Sequence, residues 1–435
     1  MPFARRCATC HAMATRERLT PHLLAATPEG EIIEHPDLLM VVRRGHELAL
    51  PRPDELIPLP EESELFLLEG RRAVGLDPES GRAEVVDDFA VAAFVAPAHT
   101  LSATAAFAVE DDAPVLPLFA YGAVGFANGR FYVCAKRVDR DRRQEFSGID
   151  PEKIRQGANR LLKRFPDNRL VRHLAGCALT YSCPAARNLA LGRFECPLPT
   201  ARTCNASCIG CLSSQPPDSG FPATQERIGF TPKPEEIVEV MQAHGARAKQ
   251  PIFSFGQGCE GEPLTEAKII AKAVALFRGA GGKGTVNVNT NASLPQTMAP
   301  LAAAGLSSIR VSLNSARECS WLPYYRPRGY AFADVRETIR EAKRHGLFVS
   351  LNFLFFPGFS DTEEEFDALA GLIADEKVDF IQMRNLNLDP ELYLDTLAAV
   401  PMGPSMGLAN FLTRLKKAAP TLGVGYFNPS LETAG

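Results

Sequence analysis

The sequence predicts an α/β protein, in which a sheet of parallel strands follows a strand-rich α+β domain. In the second half of the chain, short apolar segments alternate six times with helical apolar patterns. This order is typical of a parallel sheet with crossover helices. In the first 145 residues, extended segments separated by Pro, Gly and Asp follow one another, which indicates a strand-rich domain.

The length and composition suit a protein of several parts. The chain has 435 residues, of which 46% are hydrophobic, enough for two or three cores. We predict a strand-rich domain over residues 1–145, a helical, cysteine-bearing bridge over 146–193, a sheet of strand–helix repeats over 194–395 and an extension over 396–435. These boundaries follow the changes in apolar pattern.

The net charge and the cysteine content limit the expected partners and the expected cellular compartment. The net charge is -4, so no global field favours nucleic acid, which we do not expect as a partner. The uncharged stretch over residues 89–109 contains Pro97 and His99, so we predict core strands there and no membrane association. No signal peptide opens the chain, and 11 cysteines in a reducing, cytoplasmic setting favour metal or redox chemistry over disulfides.

The N-terminal segment carries half of a metal site. Cys7 and Cys10 form a C-x-x-C pair that is followed by His11 and His22. These four side chains could bind zinc. An unligated pair is the equal alternative, because neither histidine has the usual zinc-finger spacing.

Local patterns assign the elements in order. We predict extended segments in the first domain at 65–69, 84–96, 115–120 and 130–135. A helix should start at Asp150-Pro151, since aspartate caps a helix and proline suits its first turn. The six strands of the second half are predicted at 194–198, 251–255, 285–290, 308–312, 348–355 and 380–384.

Three cysteines follow the first of those six strands. Cys204, Cys208 and Cys211 have the spacing C-x-x-x-C-x-x-C. Three thiolates can hold three irons of a four-iron cluster and leave the fourth iron open. The alternatives are a zinc knuckle without its fourth ligand and three unrelated buried thiols.

A glycine-rich loop follows the second strand, from Gly256 to Pro263. It contains G-x-G-x-x-G, but a dinucleotide-binding loop would open a helix and be followed by an acid about 20 residues on. Pro263 and the glycine-rich stretch at 281–284 fit neither condition. A carboxylate beside a glycine turn is an ionised acceptor that a ligand can approach closely, and Glu262 is the candidate, with Glu260 as the fallback.

The cysteine loop and the Gly261-Glu262-Pro263 element together resemble the radical S-adenosylmethionine (SAM) enzyme superfamily. The resemblance covers about residues 194–387 and implies a partial (β/α)6 barrel. It implies a [4Fe-4S] cluster on Cys204, Cys208 and Cys211, and SAM bound to the open iron, with its ammonium at Gly261 and Glu262. One departure is Gly210, since many members have an aromatic residue there that packs on adenine.

Further SAM contacts are implied at later strands. Arg310, Ser312 and Asn314 alternate along the fourth strand and so share one face. The resemblance gives them ribose and carboxylate contacts, and it makes Asn352 a weaker candidate. The alternative is that these are solvated polar residues at a strand terminus.

Other cysteines could bind a second iron-sulfur cluster. The candidate set is Cys177, Cys183 and Cys196 with Cys259 or Cys134. Plain burial as small apolar groups is the alternative, and catalytic thiol chemistry is a third.

The resemblance implies an enzyme that cleaves SAM reductively to a 5'-deoxyadenosyl radical, with a reductant protein such as ferredoxin or flavodoxin as partner. We expect it to modify a peptide or protein, because the N-terminal domain could recognise one. A small-molecule biosynthetic enzyme, with that domain capping the barrel mouth, is one alternative. A non-catalytic iron-sulfur electron-transfer or sensor protein is the alternative of another class.

Overall fold

The computed structural model describes residues 19–431, which form two sheets joined by a helical segment. Cys7, Cys10 and His11 lie outside the described residues, so the zinc pair stays a prediction. His22 lies in the first strand, where its Nδ1 is 2.6 Å from Glu34 Oε1. Within residues 19–431, no helix is both long enough and apolar enough to cross a bilayer.

The first sheet is antiparallel and has 12 strands. In chain order they are β1 (His22–Ala26), β2 (Ile32–Met40), β3 (Val42–Arg44), β4 (Glu47–Ala49), β5 (Leu56–Pro58), β6 (Glu64–Leu76), β7 (Ala83–Phe94), β8 (His99–Leu101), β9 (Thr104–Ala105), β10 (Phe107–Val109), β11 (Gly122–Ala127) and β12 (Arg130–Arg137). Their spatial order is β10-β6-β2-β1-β7-β11-β9-β3-β4, and β12 pairs with β11, β5 and β8. The strand-rich N-terminal domain is therefore confirmed as an antiparallel sheet.

The predicted strand at 115–120 is wrong. The segment is irregular, because Pro114 and Pro117 remove backbone donors that a strand would need. The backbone N–H of Leu116 instead donates to the carboxylate of Asp389, at 2.8 Å. A contact with a distant part of the chain thus replaces a ladder hydrogen bond.

Three helices follow, α1 (Pro151–Arg164), α2 (Arg169–Leu179) and α3 (Pro184–Leu191). The Asp150 carboxylate caps α1 by accepting from the Glu152 N–H at 2.9 Å, and Asn168 caps α2 by accepting from the Val171 N–H. The predicted start of the first helix is confirmed. Apolar side chains of all three helices meet in one small core.

The second sheet is parallel, and its seven strands lie in chain order. They are β13 (Glu195–Pro197), β14 (Ile252–Phe255), β15 (Thr285–Thr290), β16 (Ser308–Leu313), β17 (Phe348–Phe355), β18 (Phe380–Asn385) and β19 (Gly423–Gly425). The helices between and after them are α4 (Pro234–Gly245), α5 (Ala267–Gly279), α6 (Met298–Ala303), α7 (Glu318–Tyr325), α8 (Phe332–Arg344), α9 (Glu363–Glu376), α10 (Pro390–Thr396) and α11 (Leu408–Ala418). This is the curled half-barrel that the sequence predicts, and β19 is an additional strand.

Alternation along the strands separates an apolar outer face from a polar interior. On β16, Val311 and Leu313 are buried in the main core, while the Arg310 guanidinium donates to Gln382 Oε1 on β18, at 2.9 Å. Gln382 in turn donates to Asn428 Oδ1, at 2.8 Å. The interior therefore holds a polar network that spans the sheet.

The antiparallel sheet packs on the carboxyl ends of β17 and β18. Asn385, the last residue of β18, accepts from the Leu101 N–H at 2.8 Å and donates to the His99 carbonyl oxygen at 3.0 Å. Just beyond β18, Asp389 forms a fully buried ion pair with Arg71, at 2.8 Å. Loops at the carboxyl ends build the site in parallel α/β sheets, so the N-terminal sheet covers one side of that region.

Candidate functional site

The cysteine loop lies at the carboxyl end of β13 and is held by residues far along the chain. The N–H groups of Ser207 and Ile209 donate to the carbonyl oxygens of Tyr325 and Tyr324, each at 3.1 Å. The Arg328 guanidinium donates to the Cys204 carbonyl oxygen at 2.7 Å. The backbone that carries the three thiols is thus fixed by the segment around the end of α7.

The Gly261-Glu262 turn is hydrogen-bonded directly to the cysteine loop. The Gly261 N–H donates to the Ala201 carbonyl oxygen at 2.7 Å, and the Glu262 N–H donates to that of Thr203 at 2.9 Å. A Cβ at Gly261 would lie closer than 3.0 Å to the Thr203 carbonyl. Only glycine allows this approach, so the two motifs that the sequence singled out meet as two neighbouring backbones.

Glu262 is almost fully buried, and its carboxylate accepts three hydrogen bonds. Oε1 accepts from the Leu264 N–H at 3.0 Å and from Thr290 Oγ1 at 2.5 Å, and Oε2 accepts from the Asn291 N–H at 2.8 Å. Burial nevertheless raises the pKa of Glu262 to about 7. Oε2 has one donor here and can accept another.

Glu260, the fallback candidate, holds the loop together. One of its oxygens accepts from the N–H groups of Thr200 and Ala201, and the other from those of Gly256 and Gln257. Burial raises the pKa of Glu260 to about 7. Its four backbone bonds tie the end of β13 to the end of β14, which is a structural task.

A third loop joins this arrangement at the end of β15. Asn291 Nδ2 donates to Asn205 Oδ1, and Asn205 Nδ2 donates to Ser293 Oγ, both at 2.9 Å. The loops after three successive strands are therefore tied together around the cysteines. The asparagine pair was not predicted, and its spacing in sequence gives no signal of the contact.

Gly210 departs from the family pattern for a reason that the fold supplies. A Cβ at Gly210 would meet the Tyr324 hydroxyl at 2.7 Å. The buried Tyr324 ring, which comes from α7, thus occupies space that a side chain at position 210 would need. The neighbouring Ile209 is buried in the core.

The cysteine loop presents the donors that an iron-sulfur cluster requires. Burial raises the pKa of the thiols of Cys204 and Cys208, and Arg227 Nη2 is 3.4 Å from the sulfur of Cys211. The Tyr330 hydroxyl is buried near these groups without a hydrogen-bond partner. Three thiols, two neighbouring guanidinium groups and an unpartnered hydroxyl fit a polar, sulfur-bound group.

The remaining SAM candidates occupy two neighbouring strands. Ser312 on β16 is in register with Asn352 on β17, and Asn352 Nδ2 is 3.4 Å from Ser312 Oγ. Asn314 lies just past β16 and is fully buried. Its Nδ2 donates to the Ser320 carbonyl oxygen at 3.1 Å, whereas its Oδ1 has no partner. Ser312 and Asn352 therefore form one polar pair, and Asn314 is set apart from it.

The extra cysteines fall into separate groups. Cys177 and Cys259 lie together with His173, their ligand atoms all within 4.8 Å of one another. Cys183 packs against the same small core. Cys196 is buried in the main barrel core, and Cys134 in the antiparallel sheet. The four-cysteine set for a second cluster is thus not gathered at one point, and such a cluster stays a prediction.

Two cavities lie on the Arg227 side of the cysteine loop. One of about 470 Å³ is lined by Ser213, Gln225 and Arg227. The other, of about 410 Å³, is lined by His173, Cys177 and Arg227. Arg227 thus separates the cysteine loop from the group around His173.

Comparison with known families agrees with this arrangement of sheet and loops. The model of the Radical SAM superfamily matches residues 198–372, a range that begins just before the cysteine loop and ends in α9. No curated protein matches the sequence.

Solved structures similar to this chain include three radical SAM proteins. HydG, a maturase of the [FeFe]-hydrogenase, is 13% identical, with a TM-score of 0.39 over 63% of this chain and 67% of HydG. Streptococcus suis SuiB bound to its precursor peptide SuiA is 12% identical, with a TM-score of 0.36 over 58% of this chain and 52% of SuiB. A radical SAM methyltransferase from Sphaerobacter thermophilus is 15% identical, with a TM-score of 0.36 over 54% of this chain and 67% of that protein.

The fold defines an α/β protein whose parallel half-barrel carries three cysteines in one loop at the carboxyl end of β13. This chain contains a radical SAM domain over residues 198–372, and that domain is one of enzymes. The family implies a [4Fe-4S] cluster and SAM as cofactors.

Proposed function

We propose that this enzyme holds a [4Fe-4S] cluster on Cys204, Cys208 and Cys211 and binds SAM beside it. The observation that carries the proposal is the pair of backbone hydrogen bonds between the cysteine loop and the Gly261-Glu262 turn. They bring a three-thiol loop and a carboxylate together at the carboxyl ends of adjacent strands. When bound, the cluster supplies the electron that cleaves SAM to methionine and a 5'-deoxyadenosyl radical.

In this proposal, side chains of the domain bind SAM and orient it. Glu262 Oε2 accepts one hydrogen bond in the structure, which leaves capacity for the SAM ammonium, while Gly261 lets the turn lie directly against the cysteine loop. Ser312 and Asn352 offer a hydroxyl and an amide to the ribose. The unpartnered Oδ1 of Asn314 is an acceptor for a further hydroxyl. Arg227 lies against Cys211 and adds positive charge beside the anionic thiolates.

The position of the N-terminal sheet favours a small-molecule substrate over a peptide. The buried pair of Arg71 and Asp389 and the bonds of Asn385 to β8 close the barrel mouth on the β17–β18 side. At the same edge, a Cβ on Gly358 would lie closer than 3.0 Å to the backbone at Gly45. Backbones in such contact leave no groove between them for an extended chain. Modification of a peptide or protein is the second candidate.

The enzyme requires an external electron donor, for which ferredoxin or flavodoxin is our candidate. All nine cysteines in residues 19–431 are free thiols. Free thiols in this number support a reducing compartment, and we propose the cytoplasm.

The experiment compares two sets of cysteine variants under anaerobic conditions. The parent should show an iron-sulfur absorption and, after reduction, an electron spin signal that changes when SAM is added. Changing Cys204, Cys208 and Cys211 to Ala together should remove the signal and the formation of 5'-deoxyadenosine. The control changes Cys134 and Cys319 to Ala and should keep both. SAM cleavage by the triple variant at the parent rate would refute the proposal.

A second assay addresses the substrate. The low-molecular-weight and protein fractions of a cell extract are added separately to enzyme, SAM and reductant. We expect the small-molecule fraction to increase 5'-deoxyadenosine formation. Stimulation by the protein fraction alone would favour the peptide-modifying candidate.

A further inference from the structure

A compact group of one imidazole and two thiols lies apart from the cysteine loop. His173 and Cys177 are four residues apart on α2, which places them on one face of the helix. Cys259 comes from the loop after β14. His173 Nε2 is 3.4 Å from the Cys259 sulfur and 3.5 Å from the Cys177 sulfur. One ring nitrogen thus faces two sulfur atoms from different parts of the chain.

These distances match the ligand spacing of a tetrahedral zinc ion. Zinc bonds of about 2.0–2.1 Å to nitrogen and about 2.3 Å to sulfur put the two ligand atoms about 3.5 Å apart at a tetrahedral angle. Both nitrogen–sulfur distances are within 0.1 Å of this value. We propose that His173, Cys177 and Cys259 bind one zinc ion.

The surroundings suit a bound ion. Ile154, Ala158 and Ala190 belong to the apolar core that also contains the two thiols, and the Phe230 ring meets the His173 ring edge-on, at 6.5 Å. Apolar packing excludes water and orients the ligands, which strengthens the hold on a metal. No carboxylate belongs to the described three-residue group, so the donor set is the nitrogen and sulfur set that zinc prefers.

The site has an entry path and an open fourth position. The cavity of about 410 Å³ is lined by two of the three ligands, His173 and Cys177. A water molecule or a small anion from this cavity would complete the tetrahedron. Three protein ligands with one exchangeable position are typical of reactive zinc sites, whereas structural sites use four. Arg227 lines the same cavity and offers a positive charge to an anionic fourth ligand.

A four-iron cluster fits this group less well. Each cysteine of such a cluster binds a different iron, so its sulfur atoms surround a cube instead of one point. Here the three ligand atoms lie within 4.8 Å of one another, as they would around a single ion. A disulfide between Cys177 and Cys259 would leave His173 without a role and would need an oxidising compartment.

The ion would also fix the loop that carries Glu262. Cys259 is followed directly by Glu260, Gly261 and Glu262, and the Cys259 carbonyl oxygen accepts from the Ile228 N–H at 2.8 Å. A bond from the Cys259 sulfur to zinc would anchor this loop to α2. The zinc site does not depend on the SAM chemistry, because none of its ligands belongs to the cysteine loop.

The test is metal analysis of the full chain purified without added zinc. We expect His173→Gln, Cys177→Ala and Cys259→Ala each to lose about one zinc ion per chain relative to the parent. Cys183→Ala and Cys196→Ala are matched controls that should retain it. Iron content should be unchanged in His173→Gln, whose side chain is half-buried. Changing both Cys7 and Cys10 to Ala measures any zinc held by that pair separately.

A second readout uses cobalt in place of zinc. Cobalt-loaded parent protein should show the visible absorption of a thiolate-bound, tetrahedral ion, and the three ligand variants should lose it. Unchanged zinc in both His173→Gln and Cys259→Ala would overturn the proposal. So would iron and sulfide retained at this group in a chain with Cys204, Cys208 and Cys211 changed to Ala. A Cys177–Cys259 disulfide in freshly purified protein would also overturn it.

Discussion

The backbone N–H of Glu262 donates a hydrogen bond of 2.9 Å to the carbonyl oxygen of Thr203, the residue directly before Cys204. This bond joins two residues that are 59 positions apart in the chain. It fixes the position of the Glu262 carboxylate relative to the thiols of the cysteine loop, because the two backbones that carry these groups are in contact. Changes at this junction should therefore affect the cluster and SAM together.

Gly261→Ala should disrupt the junction. The added Cβ would lie closer than 3.0 Å to the Thr203 carbonyl, so the two loops would have to separate. We expect lower iron content after anaerobic purification and a loss of unfolding free energy of about 1–3 kcal/mol. The matched control is Gly371→Ala in α9, where an added Cβ meets nothing within 4 Å. Alanine there should stabilise the helix by about 0.5–1 kcal/mol. Full iron content in Gly261→Ala would contradict this prediction.

Glu262→Gln should weaken SAM binding without removing the cluster. The loss of a charge-assisted hydrogen bond of about 1.5–3 kcal/mol corresponds to a roughly ten- to hundredfold loss of affinity. Equilibrium binding of SAM to the variant, compared with its iron content, checks this. Glu376→Gln is the control, since Glu376 is a buried carboxylate that pairs with Arg336 and Arg340 on α8. It should lower stability and leave SAM affinity unchanged; equal SAM affinity in the parent and Glu262→Gln would remove Glu262 from the site.

Asp389→Ala should loosen the N-terminal sheet from the barrel. The side chains of Arg71 and Asp389 are only 3% and 2% exposed, and removal of one partner from a buried pair costs about 3–5 kcal/mol because the other charge stays buried. Limited proteolysis should cut the variant between the two sheets faster than the parent. Glu152→Ala removes an exposed pair with Arg155 on α1 and should cost less than about 1 kcal/mol. Equal proteolysis of the Asp389→Ala variant and the parent would show that the ion pair does not hold the sheets together.

Local patterns predicted the parallel sheet because each strand–helix repeat carries its own periodicity. The six strands from β13 to β18 and the start of α1 followed from such signals. β19 has the sequence Gly-Val-Gly, and because glycine is depleted in strands, it gives no strand signal. The segment at 115–120 has apolar residues like a strand, but its Leu116 N–H is taken by Asp389, which lies 273 residues away. The sequence alone carries no record of that contact.

In the candidate site, too, some features follow from the local sequence and others depend on contacts between distant residues. The cysteine spacing and the Gly-Glu pair are local, so they could be found without a structure. Tyr324, which fills the space beside Gly210, and Asn291, which binds Asn205, depend on how distant loops meet. The i, i+4 spacing of His173 and Cys177 was a local signal that sequence analysis missed. This spacing indicates a metal site only because the fold brings Cys259 beside His173 and Cys177.

Buried His244 should make the protein less stable as the pH falls. Its Nε2 is 3.1 Å from the Phe194 carbonyl oxygen, to which it donates in the neutral form, while the buried Nδ1 has no partner. Burial lowers the pKa of His244 to about 4 from the usual 6.5. Between these values the unfolded chain binds the proton more readily than the folded chain does. The stabilisation is therefore fully present above about pH 6.5 and is lost progressively towards pH 4, by about 3 kcal/mol in total.

His244→Gln should flatten this pH dependence, because glutamine can keep the hydrogen bond to Phe194 and does not titrate. The measurement is the denaturant midpoint of the parent and the variant between pH 7.5 and pH 4.5, with both proteins free of added metal. The difference between the two proteins should shrink as the pH falls, since only the parent loses stability through His244. His46→Gln, a change at an exposed histidine, should keep the slope of the parent. An equally steep slope in His244→Gln would mean that other groups cause the acid sensitivity.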